Sequence, residues 1–212
     1  MLQHHQPPHF QPIPQEFYAR PHVETIALEL LGKYLFSNIS GVVAGGMIVE
    51  TEAYSGHNDA ASHSSQGRRT KRTEVMFGPP GVAYVYLIYG IYSLFNVVTN
   101  VEGAADAVLI RALEPAEGVE EMKLRRSLTK VEPRLTAGPG LLTQALGINT
   151  AHTGLPLAGP HIWLEDHQLQ IPEESIVAGP RVGVAYAGAD ALLPRRFSLR
   201  DNKWVSKANP KY

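Results

Sequence analysis

Two stretches decide the fold class: Ile48-Val49-Glu50-Thr51-Glu52-Ala53-Tyr54, and downstream Tyr84-Val85-Tyr86-Leu87-Ile88-Tyr89-Gly90-Ile91-Tyr92. Both are rich in β-branched and aromatic residues and alternate with a period of two, which predicts strands. The second is interrupted at Tyr89-Gly90, so residues 83–88 and 91–98 read as the arms of a hairpin. In the first, the alternation puts Glu50, Glu52 and Tyr54 on one face.

Outward from these strands the punctuation is clear. Gly45-Gly46 marks a break or bulge before residues 47–54. Residues 34–36 and 42–43 read as strands around a turn at 38–41. Val23, Ile26, Ala27, Leu30 and Leu31 recur at helical spacing between Pro21 and Gly32. Residues 107–113 read as a strand in which Arg111 interrupts an apolar run, and residues 115–128 as a helix. Gly138-Pro139-Gly140 opens a helix at 141–146 that Gly147 stops. Residues 162–164, 182–186 and 197–199 read as further strands. The expected architecture is one α/β (α+β) domain: a mostly antiparallel, curved sheet with flanking helices and a protruding β-hairpin. That domain is expected over residues 14–212. Residues 1–13, rich in Gln, His and Pro, are expected to be a disordered tail, with His4, His5 and His9 solvated rather than framed around a metal.

The composition supports a core. With 212 residues, 44% hydrophobic and 18% charged, the chain is globular in character, and 19 Gly and 16 Pro imply many turns. The absence of cysteine excludes disulfides, thiolate metal sites and a thiol nucleophile. No apolar run is long enough to span a membrane and no signal peptide opens the chain, so a cytoplasmic protein is expected. A net charge of −1 excludes a uniformly basic nucleic-acid binder. Phosphate binding would fall to local clusters: Arg68, Arg69, Lys71, Arg72; Lys123, Arg125, Arg126, Lys130; and Arg195, Arg196, Arg200.

Chemistry concentrates between residues 48 and 111. Glu52 on a strand beside Tyr54 suits a general base, or else pairs with an arginine. Glu50 reads first as an ion-pair partner. Arg111 in an apolar strand requires a carboxylate, and such a pair either orients a water or is an ordinary buried salt bridge. His63, in the small-residue loop Ala60-Ala61-Ser62-His63-Ser64, either donates to a ligand or satisfies a backbone carbonyl. Tyr84 and Tyr86 share a face and are either core or a stacking surface. Tyr89, at a hairpin tip with no core to fill, suits wedging between stacked bases. No Walker A loop, paired-cysteine deaminase signature or serine nucleophile elbow is present.

Taken together these stretches resemble the alkyladenine (3-methyladenine) DNA glycosylase family. The resemblance runs through Ile48 to Tyr54, His63-Ser64, Met76-Phe77 to Gly81, Tyr84 to Gly90, Asn96, Leu109-Ile110-Arg111-Ala112-Leu113-Glu114-Pro115, Gly138-Pro139 and Arg181-Val182-Gly183-Val184. It implies a monofunctional base-excision-repair enzyme that flips a damaged purine out of duplex DNA and hydrolyses its N-glycosidic bond. The implied substrates are 3-methyladenine, 7-methylguanine, hypoxanthine and ethenoadenine, and the implied product is an abasic site. By resemblance Glu52 is the base on the water, and Arg111 and the carbonyl of Val182 help hold that water. Tyr54 and Tyr86 stack on the base, His63 bonds to it, and Asn96 disfavours guanine by crowding its exocyclic amine. Tyr89 fills the gap left in the duplex. The resemblance implies no metal and no cofactor. It implies double-stranded DNA with damaged purines as partner, no membrane, a monomer, and association with the nucleoid in a bacterium. The alternatives are a non-catalytic damaged-DNA-binding module and a nucleoside hydrolase.

Overall fold

The computed structural model describes residues 12–207. Two short helices, α1 (Gln15–Tyr18) and α2 (Val23–Glu29), precede β1 (Tyr34–Ile39) and the long β2 (Val42–Tyr54). The hairpin follows as β3 (Ala83–Ile88) and β4 (Tyr92–Thr99), then β5 (Asp106–Glu117). Next come α3 (Val119–Arg125), α4 (Pro139–Leu146), β6 (Ile162–Glu165), β7 (Ile176–Gly179) and β8 (Arg196–Leu199).

All eight strands join one antiparallel sheet in the order β3-β4-β5-β2-β1-β6, with β8 on β2 and β7 on β8. β2 carries the architecture because it has three partners. β5 lies along it from Gly45 to Tyr54. Along the other edge β1 pairs as far as Met47, and β8 takes over from Glu50 to Glu52. The stretch bearing both carboxylates is therefore hydrogen-bonded on each side, which gives their side chains a rigid base. The ladder with β5 slips around Glu50, as β-bulges do where a strand re-aims side chains.

Helix α2 packs on β2 and β5 through Ile26 and Ala27, α4 on β4 and β5 through Leu142, Ala145 and Leu146, and α3 against α4 and β2 through Met122. Ile26, Leu142, Leu146 and Met122 are fully buried, worth about 1.5–3 kcal/mol apiece. Among the described residues no helix is long and apolar enough to cross a membrane.

Several sequence expectations need correction. Of the break or bulge expected at Gly45-Gly46 the bulge is what forms: β2 runs through the pair with a register slip. A Cβ on Gly46 would lie 2.2 Å from the carbonyl oxygen of Glu114, so the glycine permits a close approach of β5. The helix expected over 115–128 starts only at Val119, because β5 continues to Glu117 opposite Gly45. Residues 182–186 are not a strand. Val184 and Ala187 are buried, but in an irregular segment and a 3₁₀ run (Ala185–Leu192) whose Gly183 and Gly188 have positive φ. Strand β7 and helix α1 were not foreseen. Of the tail expected over 1–13, only Pro12 and Ile13 are described. Pro12 bridges to Glu165 and Ile13 lies in the core. The three tail histidines lie outside the described residues.

Candidate active site

Glu52 is 0% exposed, and every donor around it comes from a different part of the chain. The Val182 amide donates to Oε1 at 2.7 Å, and the guanidinium Nη1 of Arg111 meets the same oxygen at 3.2 Å. The Tyr54 hydroxyl donates to Oε2 at 2.7 Å. Burial, and then the Glu52 charge, push the Tyr54 phenol far above its ordinary pKa, so it remains a donor. A carboxylate oxygen accepts about two hydrogen bonds, so Oε2, with one donor here, keeps a lone pair for an incoming proton. Four of the residues singled out in the sequence thus converge: Glu52, Tyr54, Arg111 and Val182. Val182 contributes its N–H to the carboxylate, a contact that sequence reasoning did not anticipate.

Arg111 is shared between two carboxylates. Its Nε donates to Glu50 at 2.8 Å, and Glu50 is 0% exposed. Burial opposes the charge on Glu50. Arg111, the Ser206 hydroxyl and Arg196 overcome this and hold its carboxyl below the usual glutamate value. Burial likewise opposes the charge of Arg111, and Glu52 and then Glu50 more than offset it.

Tyr54, His63, Tyr86 and Asn96 line one pocket, together with Ala61, Ser62, Met76, Tyr84, Ala107 and Tyr186. The register explains the placement, since Tyr84 faces Asn96 across β3 and β4 and Tyr86 is two residues along. Tyr84 and Tyr86 ring centroids are 5.4 Å apart, and His63 meets Tyr86 edge-on at 4.6 Å. His63 Nδ1 lies 2.8 Å from the Tyr84 hydroxyl. Burial, then Arg72 and Arg68, depress His63 to about 4, while burial pushes Tyr84 up to about 12. At neutral pH the imidazole is uncharged and the phenol protonated. With the phenol donating to Nδ1, the Nε2–H is the donor left for a ligand. Asn96 commits its amide nitrogen to the carbonyls of Tyr84 and Leu94, leaving Oδ1 for a ligand.

One side of the Tyr54 ring carries the Arg181 guanidinium, 4.7 Å from the centroid. Arg181 is itself locked by Asp59, at 2.5 and 2.8 Å, and by the Ala53 carbonyl. A buried ion pair thus braces the aromatic wall. Sequence reasoning missed Asp59, because an acid in a loop of small residues carries no periodic signal. It also missed Tyr186, 69% exposed at the pocket mouth, whose hydroxyl donates to the Ala61 carbonyl.

Tyr89 stands apart from this pocket, at the hairpin tip. It is 73% exposed, and both it and Gly90 have positive φ, as tight hairpin turns require. Ile91 and Leu87 are exposed beside it, an apolar tip that suits contact with another molecule. A hollow lined by Tyr89, Tyr92, Gly138, Pro139, Arg111 and Val182 joins the tip to the carboxylate cluster.

The three basic clusters differ from expectation. Arg69 pairs with Glu74, Lys123 with Glu120, Arg125 with Glu121, Arg195 with Glu24 and Arg196 with Glu50. Among the described residues Arg68, Lys71 and Arg72 meet no carboxylate, and Arg68 and Arg72 line the surface hollow beside His63 and Tyr186. Arg126 and Arg200 also meet no carboxylate among the described residues and bond instead to Gln144 and to the Arg134 and Glu174 carbonyls, so the pocket mouth holds part of the positive charge of these clusters that no carboxylate offsets. Among the described residues no group of three or more His, Asp or Glu side chains is placed to hold a metal ion.

Comparison with known proteins is consistent with this geometry. Residues 16–203 match the family model described as methylpurine-DNA glycosylase. A protein of Bacillus cytotoxicus is 48% identical over 202 residues, covering 92% of this chain and 98% of its own. One of Bacillus cereus is 47% identical over 202 residues with the same coverage. One of Myxococcus xanthus is 47% identical over 198 residues, covering 93% of this chain and 95% of its own. All three are named as candidate 3-methyladenine DNA glycosylases.

Proposed function

Since the chain belongs to the methylpurine-DNA glycosylase family, and is thereby a DNA-repair hydrolase of N-glycosyl bonds, we propose that it excises alkylated and deaminated purines with a water that Glu52 activates. The observation that carries this reading is the buried Glu52 carboxylate, held by Val182, Arg111 and Tyr54, with Tyr54 also a wall of the aromatic pocket.

In the proposed reaction the damaged nucleotide leaves the helix and its base enters between Tyr54 and Tyr86. Flipping costs a few kcal/mol, least for damaged pairs. Tyr89 occupies the vacated space and recovers about 1–3 kcal/mol by stacking. A cationic 3-methyladenine or 7-methylguanine stacks well on tyrosine faces and leaves readily. Neutral hypoxanthine and ethenoadenine are held through the His63 Nε2–H, and Asn96 crowds the exocyclic amine of guanine. As the bond stretches, the sugar gains oxocarbenium character, which the nearby carboxylate stabilises. The water sits between Glu52, Arg111 and the Val182 carbonyl and gives a proton to Glu52 as its oxygen bonds to the sugar C1′. The C1′–N bond breaks, a cationic purine leaves as the neutral base and a neutral one takes up a proton as it leaves, and an abasic site remains. The enzyme works as a monomer on duplex DNA in the cytoplasm, at the nucleoid in a bacterial cell.

Salt separates this reading from a nucleoside hydrolase. Affinity for a lesion duplex is expected to fall linearly on a log–log plot as salt rises, through contacts such as Arg68 and Arg72. Free-nucleoside turnover insensitive to salt, with no duplex affinity, would favour the hydrolase. Tyr89→Ala is expected to weaken lesion-duplex binding, followed by fluorescence anisotropy, by about 1–3 kcal/mol. Unchanged affinity would remove the wedge role.

A further inference from the structure

The Arg111 guanidinium is a rigid plane, and each of its three nitrogens is engaged. Nε donates to Glu50 Oε1 at 2.8 Å, Nη2 to the Ser206 hydroxyl at 3.2 Å, and Nη1 meets Glu52 Oε1 at 3.2 Å. Two of those three anchors do not involve Glu52. Fixing them fixes the third, because the fork cannot bend. Glu50 is the hub of the anchoring side. Its Oε1 accepts from Arg111, from Arg196 Nε at 2.7 Å and from the Ser206 hydroxyl at 2.9 Å. Its Oε2 accepts the Ser206 amide at 2.8 Å, so β2, β5, β8 and the C-terminal segment meet on one carboxylate.

We infer that Glu50 is a positioning residue for base release: by anchoring Arg111 it sets how that cation meets Glu52, and through Ser206 it makes the C-terminal segment part of the catalytic apparatus. This rests on the reading of Glu52 as the base on water. The charges explain why a second carboxylate is present. Arg111 and Arg196 bring two positive charges to the cluster, and Glu50 and Glu52 balance them. With Glu50 absorbing much of that positive charge, Glu52 faces a cation that is already partly neutralised. The other groups facing the two carboxylates are Tyr54 on Glu52, and Arg181, Tyr86 and Tyr186, which feel the Glu52 charge from across the site. None of these replaces Glu50 as counter-ion to Arg111.

The test is single-turnover release of hypoxanthine from a duplex, followed from acid to neutral pH, with lesion-duplex affinity and a thermal melt measured on the same variants. Glu50→Gln leaves two buried cations underbalanced and is paired with the charge-balanced Glu50→Gln/Arg196→Met. The conservative Ser206→Ala and the reference Glu52→Gln complete the set. In the double variant release is expected to slow by about tenfold to a hundredfold, the scale of a small misplacement, with affinity kept. The acid limb of its rate profile is expected to move, because Arg111 then bears on Glu52 alone. Ser206→Ala is expected to slow release several-fold without moving that limb. A purely structural role would lower the melting temperature and leave the acid limb in place. A wild-type rate and an unmoved limb in the double variant overturn the proposal; should that variant not fold, a wild-type rate in Ser206→Ala does so. Those results with release lost in Glu52→Gln overturn the role of Glu50 alone, whereas release retained in Glu52→Gln overturns both readings.

Discussion

Glu52→Gln is expected to slow base release from a lesion duplex by about 10²–10⁴-fold, the usual contribution of a general base, while lesion-duplex affinity is kept. The site accommodates the amide. Its carbonyl oxygen can keep the Val182 N–H and Arg111, and its NH₂ can donate to the Tyr54 hydroxyl, which then accepts. The fold and the aromatic pocket are therefore expected to survive, and what is lost is the acceptor for the water proton. Single-turnover kinetics beside a binding titration separate the two effects. Equal loss of release and affinity would mark Glu52 as structural.

Arg111→Ala is expected to act first on stability. It leaves Glu50 and Glu52, both 0% exposed, without the cation they share, and breaking a buried pair in this way costs about 3–5 kcal/mol. For a domain of this size each kcal/mol is worth roughly 2–4 °C, so the melting temperature should fall by roughly 6–20 °C at neutral pH. The pH dependence has a definite sign. The folded-state pKa of Glu50 is depressed, so its contribution is present above the ordinary glutamate value. It is lost as pH falls through the lower value of the folded protein. The gap between wild type and Arg111→Ala should therefore narrow in acid. A loss below about 1 kcal/mol at neutral pH would mean that Arg196, Ser206, Tyr54 and Val182 satisfy the two carboxylates without Arg111.

These two residues also mark how far the sequence could be read. The strand around Glu52 and the hairpin arms around Tyr89 were legible because a buried antiparallel sheet imprints a period of two on the chain. A lone arginine amid Val108, Leu109 and Ile110 pointed to a buried carboxylate, and the structure supplies two. Long-range contacts without periodicity were not legible. The chain shows no local sign that the Ser206 amide reaches Glu50, or that Asp59 locks Arg181 against Tyr54. The helix expected over 115–128 began too early, because tertiary pairing of β5 with Gly45 overrides helix propensity at residues 115–117. Residues 182–186 looked like a strand because Val182, Val184 and Tyr186 alternate, but only Val184 of these is buried, and Gly183 and Gly188, both with positive φ, bend the chain instead. The charge runs misled most, since a sequence does not reveal which cations already have internal partners.

The central claim is that the buried carboxylate cluster hydrolyses the bond between a damaged purine and its sugar in duplex DNA. Its most direct test is release of free base from a duplex carrying one hypoxanthine or one 7-methylguanine, under single-turnover conditions with excess enzyme. Free purine together with an uncut strand that breaks only on alkaline heating is the predicted result, because water attack leaves an intact abasic site. No free base from either duplex, with lesion binding intact, would contradict the account and leave a damage-binding module in its place.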